Sequence, residues 1–357
     1  MTDILKNTRE RLIEGKELSR EDFLLLIENK SDELCELFKR HAVEKRTRIY
    51  GRSVYIRGLI EVSNICKNDC LYCGIRASNK ECQRYRLTDE DILAACREGY
   101  SLGFRTFVLQ GGEDPHFTDE RLISLIEGIK RDCPDAAITL SLGERERESY
   151  ARLRAAGADR YLLRHESATG SHYEKLHPKA MSFENRMRCL YDLRELGFQV
   201  GAGFMVGSPY QTARELAEDL YFIQSFKPDM CGIGPFIPAA NTPFESFPAG
   251  SAELTLYLLS IIRLIHPAVL LPATTALGSI TEGGREMGIL AGANVVMPNL
   301  SPESVRKKYA IYDGKLSDGS EAAEGLEKLK QSMKKIGYTV VTDRGDVKRG
   351  AAECKQN

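Results

Sequence analysis

The chain has 357 residues and carries 50 Lys and Arg against 51 Asp and Glu, which gives a formal net charge of −1. A balance this close to zero argues against nucleic acid or a membrane surface as a partner, because both generally select an excess of basic residues. Hydrophobic residues make up 42% of the sequence and charged residues 28%, proportions that fit a globular protein with a large core and exclude a disordered one.

The N-terminal residues predict a helical extension in a cytoplasmic protein. The first residues, MTDILKNTRERL, carry charges where a signal peptide needs an apolar stretch, and no segment reaches the roughly 20 apolar residues of a membrane span. Clusters of Leu and Ile among charged side chains over residues 1–50 predict two or three helices packed outside or beneath the main domain. Ten cysteines in such a chain are expected to be reduced thiols that are buried or bind metal.

Short apolar runs rich in branched side chains alternate with segments of helical period from residue 55 onward. The runs predict eight strands, at residues 55–63, 106–110, 138–142, 160–165, 199–206, 230–237, 269–275 and 294–297. Between two of them, Leu122, Leu125, Ile126 and Ile129 repeat at helical spacing, which predicts an amphipathic helix that packs on a sheet. The sequence therefore predicts a β-then-α unit repeated eight times.

Eight such units close most economically into a (β/α)₈ barrel, which we assign to residues 51–315. An open, doubly wound parallel sheet is the alternative. Residues 316–357 predict a C-terminal helix and a polar tail packed on the barrel. After about residue 338 the sequence becomes polar and loses its period, which predicts a surface strand followed by frayed residues.

Four cysteines lie close together just after the first predicted strand, at Cys66, Cys70, Cys73 and Cys82. The first three form a CxxxCxxC run, and three thiolates on one tight loop can hold three irons of a 4Fe-4S cube while the fourth iron stays open. A zinc site with Cys82 as the fourth ligand is the alternative, but structural zinc sites usually combine two CxxC or CxxH pairs. The pattern therefore favours one iron-sulfur cluster on the first three cysteines.

A second motif, Gln110-Gly111-Gly112-Glu113, follows the next predicted strand. Glycines let the backbone approach a ligand closely, and the carboxylate beside them can receive an ammonium group. Because all strands of a parallel barrel end at one face, where active sites assemble, this GGE turn is expected beside the cysteine loop.

The CxxxCxxC run with Tyr72 before its last cysteine, followed one strand later by the GGE turn, resembles the radical S-adenosylmethionine (SAM) superfamily. In that superfamily the amino and carboxylate groups of SAM chelate the open iron, and the GGE turn binds the amino group. The resemblance implies one 4Fe-4S cluster and SAM as cofactors, and reductive cleavage of SAM to a 5′-deoxyadenosyl radical. The protein would then position the reactants and exclude water.

Segments at the predicted strand ends narrow the resemblance to the radical maturases of FeFe hydrogenase, a biotin synthase-like family. They include YIRGLIEVSN (55–64), RYRLT (84–88), LQGGEDP (109–115), DRYLLRHE (159–166), GAGFMVGSP (201–209), GIGPFIPAANTP (232–243), PATTALG (272–278) and GANVVMPN (292–299). Some members bind a second iron-sulfur cluster through cysteines after the last barrel strand, but residues 313–335 contain no cysteine. A single cluster is therefore expected.

The same resemblance implies roles for individual residues. It implies cluster ligation by Cys66, Cys70 and Cys73, and catalytic roles for Arg164, Glu166, Thr274 and Thr275. It implies cofactor contacts for Tyr72, Gln110, Gly111, Gly112, Glu113, Thr139, Arg164, Glu166, Arg186, Met205, Met297 and Tyr309. Strand spacing adds that Arg164 and Glu166 both face the barrel interior while His165 points outward, although a purely structural Arg–Glu pair is the alternative.

The function implied by the resemblance is assembly of the hydrogenase H-cluster, at its diiron subcluster. The implied substrate is a cysteine-bound iron carbonyl cyanide complex, delivered by another hydrogenase maturase, whose sulfur the adenosyl radical attacks. An electron donor such as ferredoxin or flavodoxin would reduce the cluster. Two alternatives stay open: a biotin synthase-like or methylornithine synthase-like enzyme that acts on an amino acid or other carbon skeleton, and a non-catalytic iron-sulfur carrier, which would need no GGE turn.

Overall fold

A computed structural model of the chain describes residues 3–315 and 322–349. Its strands are β1 (Ser53–Ile56), β2 (Gly58–Ser63), β3 (Thr106–Gly111), β4 (Ala137–Ser141), β5 (Arg160–Leu162), β6 (Gln199–Ala202), β7 (Met205–Val206), β8 (Met230–Cys231), β9 (Gly234–Pro235), β10 (Val295–Val296) and β11 (Thr339–Val341). Its helices are α1 (Asp3–Glu14), α2 (Arg20–Glu28), α3 (Asp32–Tyr50), α4 (Asp89–Ser101), α5 (Asp119–Asp132), α6 (Arg147–Ala155), α7 (Gly170–Leu176), α8 (Phe183–Glu195), α9 (Ala213–Phe226), α10 (Ala252–Ile265), α11 (Thr275–Ile280), α12 (Gly284–Leu290), α13 (Glu303–Arg306) and α14 (Ala322–Lys335).

The predicted strand positions form a closed parallel barrel. Strands β2, β3, β4, β5, β6 and β8 form one parallel sheet in that order. Single bridges at residues 270 and 272 continue the ring from β8 to β10, and β10 pairs in parallel with β1. Because β1 and β2 are one stretch of chain interrupted only at Arg57, the ring closes. The closed ring confirms the predicted (β/α)₈ barrel and not the alternative, an open sheet.

Two of the predicted strands divide in the middle. Residues 199–206 give β6 and β7, and residues 230–237 give β8 and β9. β6 and β8 belong to the main ring, whereas β7 and β9 pair in parallel with each other as a separate two-stranded sheet. The chain therefore leaves the ring at the carboxyl ends of these strands, and the divided ends form part of the rim of the barrel.

The predicted strand over residues 269–275 is not a regular strand. It makes only the bridges at Leu270 and Pro272, and proline has no N–H to donate to a strand ladder. Thr274 instead begins the next element, because its Oγ1 accepts the N–H of Leu277 at 3.4 Å as the N-cap of α11. Thr275 is the first residue of that helix. The prediction that both threonines lie in a strand is therefore wrong.

The helices surround the barrel in two layers. In the inner layer, α5 buries Leu122, Leu125, Ile126 and Ile129, as their spacing predicted. In the outer layer, α2 packs on α9, and α3 packs on α10. Because α10 lies between the barrel and α3, it is buried over most of its circumference. Within the described ranges, every helix is too short or too polar to cross a bilayer.

The C-terminal segment covers the amino-terminal end of the barrel. β11 pairs in parallel with β1, and Arg344 and Asp346 then form ion pairs with Asp159 and Arg160 at the start of β5, at 2.9 and 2.6 Å. The expectation that the chain frays after its last strand is therefore wrong as far as residue 349, because charges at the strand starts bind this segment. Part of the predicted C-terminal unit, at 316–321 and 350–357, lies outside the described residues.

Replacing Asp346 by asparagine is expected to lower the free energy of unfolding at neutral pH by about 2 kcal/mol, since it removes the anion from the buried Arg160 guanidinium. Burial acts to raise the pKa of Asp346, but hydrogen bonds from Arg160 and its neighbours outweigh it and hold this pKa well below its usual range. The stabilisation is therefore complete above about pH 4, the pKa of the unfolded chain, and is lost as the pH falls further. Urea unfolding midpoints across this range should fall less steeply with acid in D346N than in the wild type, and parallel profiles would contradict this account.

Candidate active site

A cavity of about 370 Å³ lies at the carboxyl ends of the barrel strands. The predicted site residues that line it are Cys66, Cys70, Cys73, Tyr72, Gln110, Gly111, Gly112, Glu113, Arg164, Glu166, Arg186, Met205, Thr274, Thr275, Met297 and Tyr309. Thr139 is not brought together with them. It lies lower on β4, two residues before Ser141, in a separate small cavity that it shares with Arg57 and Arg160. The structure therefore gathers all the predicted site residues but one.

Side-chain hydrogen bonds shape the cysteine loop, residues 64–84, which follows β2. Arg84 donates to four backbone carbonyls of this loop, at residues 64, 75, 76 and 79, over 2.6–3.0 Å. The Asn64 amide donates to the carbonyls of Gln83 and Lys308, at 2.8 Å each. These hydrogen bonds satisfy backbone carbonyl groups that lie outside any helix or strand. Sequence reasoning gave Asn64 and Arg84 no role, although both lie in segments that carried the resemblance.

Three of the four thiols of the cysteine loop, those that line the cavity, favour the neutral form when no metal is bound. Burial raises the pKa of Cys66, Cys70 and Cys73, for Cys73 to about 12, and neighbouring thiols raise the pKa of Cys70 and Cys73 further. The Cys66 Sγ accepts the backbone N–H groups of Asn68 and Glu113, at 3.4 and 3.3 Å. Such N–H donors stabilise a thiolate once a metal has displaced the proton.

The three thiols that line the cavity are not gathered around a site for a single metal ion. In the part of the chain that the structure describes, no three His, Cys, Asp or Glu side chains lie close enough together to hold one metal ion. Cys82, the fourth ligand of the zinc alternative, does not line the cavity, and its Sγ accepts a hydrogen bond from Asn64 at 3.5 Å. Three separated thiols around one cavity fit three corners of a 4Fe-4S cube.

Tyr72 anchors the cysteine loop through its side chain. His177 donates from Nδ1 to the Tyr173 carbonyl at 2.9 Å, so its Nε2 accepts the hydroxyl proton of Tyr72 at 3.2 Å. Burial lowers the pKa of His177 to about 3, which keeps this imidazole neutral. The Tyr72 ring also packs edge-on against the His177 ring, with centroids 5.5 Å apart. The Tyr72 side chain is thus bound to His177, the residue that follows α7, while Tyr72 still lines the cavity.

The GGE turn packs directly against the cysteine loop. A Cβ on Gly112 would lie 2.3 Å from the Ile65 carbonyl oxygen, so only glycine permits this approach. The Glu113 carboxylate accepts the backbone N–H of Glu144 at 2.9 Å and lies 3.3 Å from Lys67 Nζ. Gly143, with φ of +79°, gives it room, because a Cβ there would lie 2.0 Å from Glu113 Cγ. The turn therefore presents a fixed carboxylate at the edge of the cavity.

Arg164, Glu166 and Arg186 form the wall beyond β5. Arg186 donates from Nε to Glu144 at 2.6 Å and from Nη1 to the Arg164 carbonyl. Arg164 Nη2 lies 3.3 Å from Glu166 Oε2, yet both atoms are buried without a hydrogen-bond partner among the described residues. Leaving buried polar atoms without hydrogen bonds is costly. Both residues line the cavity, and Arg164 Nε is also buried without a hydrogen-bond partner among the described residues, so the pair with Glu166 does not use all the donors of this guanidinium.

His165 points away from the cavity, as strand alternation predicted. The backbone N–H of Gly203 donates to its Nδ1 at 3.2 Å, so Nε2 carries the proton and donates it to Asp219 Oδ1, also at 3.2 Å. Burial lowers the pKa of His165 to about 3, so this histidine stays neutral. It fixes the backbone between Arg164 and Glu166 to α9 and does not contact the cavity.

Two charged residues of the cavity were missed by sequence reasoning. Glu61 on β2 is fully buried, and its carboxylate pairs with Lys315 and accepts the Asn299 amide at 2.9 Å. Glu61 was visible in the sequence as the one acidic residue of the strand predicted over residues 55–63. No sequence pattern marked Lys315, because it lies in a loop whose path depends on the tertiary structure.

Comparisons with known proteins agree with this geometry. Residues 60–223 match the Radical SAM superfamily. The chain is 44% identical over 304 residues to the [FeFe] hydrogenase maturase subunit HydE of Thermotoga maritima, covering 85% of this chain and 86% of that protein. It is 30% identical to 3-methylornithine synthase of Methanosarcina acetivorans, covering 93% and 94%. A crystal structure of methylornithine synthase matches with a TM-score of 0.82 at 27% identity, over 94% of this chain and 97% of that one.

The barrel and its cysteine-lined cavity define a radical SAM enzyme. Within that superfamily the chain belongs to the HydE family, as the identity over most of both chains shows. The family implies a 4Fe-4S cluster and SAM. The residues present fit both, because three partly buried thiols border one cavity and the buried Arg164 Nε there has no hydrogen-bond partner among the described residues. The predicted family and enzyme class are confirmed.

Proposed function

We propose that this enzyme acts in the assembly of FeFe hydrogenase, on the diiron subcluster of the H-cluster. The observation that carries the proposal is the 44% identity to a HydE maturase across the whole barrel, combined with a cavity lined by nearly every residue that the resemblance implies. Residues 51–315 would form the catalytic unit. The cluster and SAM, when bound, would supply a 5′-deoxyadenosyl radical.

The chain's own residues would hold and orient the reactants. Cys66, Cys70 and Cys73 would ligate the cluster, which leaves one iron for SAM. Glu113, fixed by the Glu144 N–H, would accept the ammonium group of SAM. Arg164, whose buried Nε has no hydrogen-bond partner among the described residues, would donate to a carboxylate or another anionic group.

The substrate would be a cysteine-bound iron carbonyl cyanide complex, attacked at its sulfur. Thr274 and Thr275 line the cavity at the start of α11, beside the apolar side chain of Met297 at the end of the neighbouring β10, and together they offer hydroxyl donors and a soft apolar contact. Another hydrogenase maturase would deliver this complex, and a ferredoxin or flavodoxin would supply electrons. The enzyme would need no nucleic acid or membrane partner.

A methylornithine synthase-like activity is the second candidate. It is favoured by 30% identity to such a synthase over nearly the full length and by the close structural match. A cavity with paired charges also suits a free amino acid. The two candidates differ in substrate, not in the cleavage of SAM.

Anaerobic hydrogenase maturation separates the two candidates. A mixture that contains apo-hydrogenase and the other maturases, but no HydE, should evolve hydrogen only after the cluster-loaded protein is added. The cluster-free protein is the matched control. Failure to restore hydrogen evolution, together with conversion of a free amino acid, would overturn the proposal in favour of the second candidate.

Replacing Glu113 by glutamine is expected to weaken SAM binding roughly tenfold to a hundredfold, because a hydrogen bond between charged groups becomes one with a neutral amide. Equilibrium binding of SAM to the cluster-loaded protein measures this effect. Lys67→Gln is the matched control, since Lys67 is mostly exposed and its pair with Glu113 is worth little. Equal SAM affinity in E113Q and the wild type would remove Glu113 from the binding site.

A further inference from the structure

The buried ion pair between Glu61 and Lys315 has no part in the chemistry described so far. Glu61 is fully buried, and only 12% of the Lys315 side chain is exposed. Lys315 also donates to the Tyr309 carbonyl at 3.0 Å. Both partners line the active-site cavity. Removing two charges from water costs about as much as their attraction returns, so stability alone does not account for a charged pair at this place.

The segment that carries Lys315 is a strap over the cavity, residues 309–315. One edge is tied to the cysteine loop, because the Gly74 N–H donates to the Ile311 carbonyl at 2.9 Å. The other edge is tied to the loop after β9, where Asp313 accepts the Ala240 N–H at 3.0 Å. Gly314, with φ of +63°, makes the turn that leads to Lys315. These hydrogen bonds fix the segment that carries the ammonium to the two loops that border it.

The cations around the cavity differ in what they can still bind. Arg186 is engaged with Glu144 and a backbone carbonyl. Lys315 has three N–H donors, and among the described residues it gives one to Glu61 and one to the Tyr309 carbonyl. Arg164 faces the cavity from β5, three strand positions around the ring from the β2 strand of Glu61. Two acid–base pairs thus face the cavity from different walls.

We propose that Lys315 binds the carboxylate of an amino acid unit in the substrate, and that Glu61 is a positioning residue for Lys315. Two acid–base pairs on different walls complement a zwitterion, whose carboxylate and ammonium groups each need a partner of opposite charge. The inference rests on the proposed function and adds to it the residue that would bind the carboxylate of the cysteine in the proposed substrate.

Calorimetric binding of two probes to the cluster-loaded, SAM-bound protein tests this assignment. The probes are L-cysteine and cysteamine, which lacks the carboxylate. Wild-type protein should bind L-cysteine roughly tenfold to a hundredfold more tightly, and Lys315→Met should abolish this preference. Lys315→Arg should retain most of it, and Glu61→Gln should reduce it. The exposed Lys307 provides the control, K307M, which should behave like the wild type.

The double variant E61Q/K315M removes both charges together, so it leaves no unpaired buried carboxylate and should fold while lacking the preference. SAM affinity should stay within about twofold of the wild type in all variants, because the proposed contact is to the substrate. A carboxylate preference that survives in K315M, or a weakening of SAM binding instead, would overturn the assignment. A preference that depends on Lys315, in a protein that restores no hydrogenase, would contradict the proposed function and leave this assignment standing.

Discussion

Replacing Cys70 by serine is expected to reduce the release of 5′-deoxyadenosine from SAM to the background level. Cys70 is the middle ligand of the CxxxCxxC run, its thiol borders the cavity, and burial raises its pKa well above the usual range. A serine hydroxyl ionises far less readily still, so it would not replace a thiolate in holding iron. Anaerobic reconstitution, followed by measurement of bound iron and released 5′-deoxyadenosine, tests this prediction.

Cys82→Ser is the matched control for that experiment. Cys82 lies in the same loop but does not line the cavity, and its Sγ accepts only a long hydrogen bond at 3.5 Å. The C82S variant should therefore bind iron and cleave SAM like the wild type. Full activity in C70S, or a loss in C82S equal to that in C70S, would contradict the assignment of the three ligands.

Replacing Arg186 by methionine is expected to lower the free energy of unfolding by about 3–5 kcal/mol, because it leaves the carboxylate of Glu144 buried without its cation. The Arg186 side chain is 7% exposed and that of Glu144 is 12% exposed, so water cannot replace the lost partner. Glu144 also donates its backbone N–H to Glu113, so SAM binding should weaken in the same variant. Anaerobic urea unfolding and SAM titration give the two readouts.

Two further variants make the Arg186 prediction specific. Arg188→Met removes a neighbouring arginine of α8 whose side chain is 37% exposed, and it should cost less than about 1 kcal/mol. The double variant E144M/R186M should recover much of the stability, because neither buried charge is left alone. A double variant as unstable as R186M would show that the loss of stability comes from the changed shape of the side chain at position 186, and not from the unpaired charge.

The barrel could be predicted from the sequence because periodicity records which residues are buried. Strand and helix spacing placed the eight units, and the order of the units then required a parallel ring. The two motifs were equally visible, since Cys66 and Glu113 follow predicted strands whose ends share one face. The apolar run at 269–275 predicted a strand that the chain does not form, because Pro272 has no N–H for regular strand pairing.

The remaining parts of the site depend on contacts between distant segments. Lys315 reaches Glu61 across 254 positions of sequence, and no local pattern marks such a pairing. Arg84 shapes the cysteine loop through backbone carbonyls, which carry no sequence signal at all. Thr139 illustrates a different error. It lies too far from the carboxyl end of its strand, so it lines a different cavity. Periodicity predicts which face of the strand a side chain occupies, but not how deep in the barrel it lies.

The most direct test of the central claim is electron paramagnetic resonance of the reduced, reconstituted protein with and without SAM. We expect about four irons per chain and a single cluster signal that changes when SAM is added, because the proposed ligand set leaves the fourth iron without a protein ligand. A signal that SAM leaves unchanged, or iron that binds as mononuclear ions, would contradict the claim that this cavity joins an open cluster to SAM.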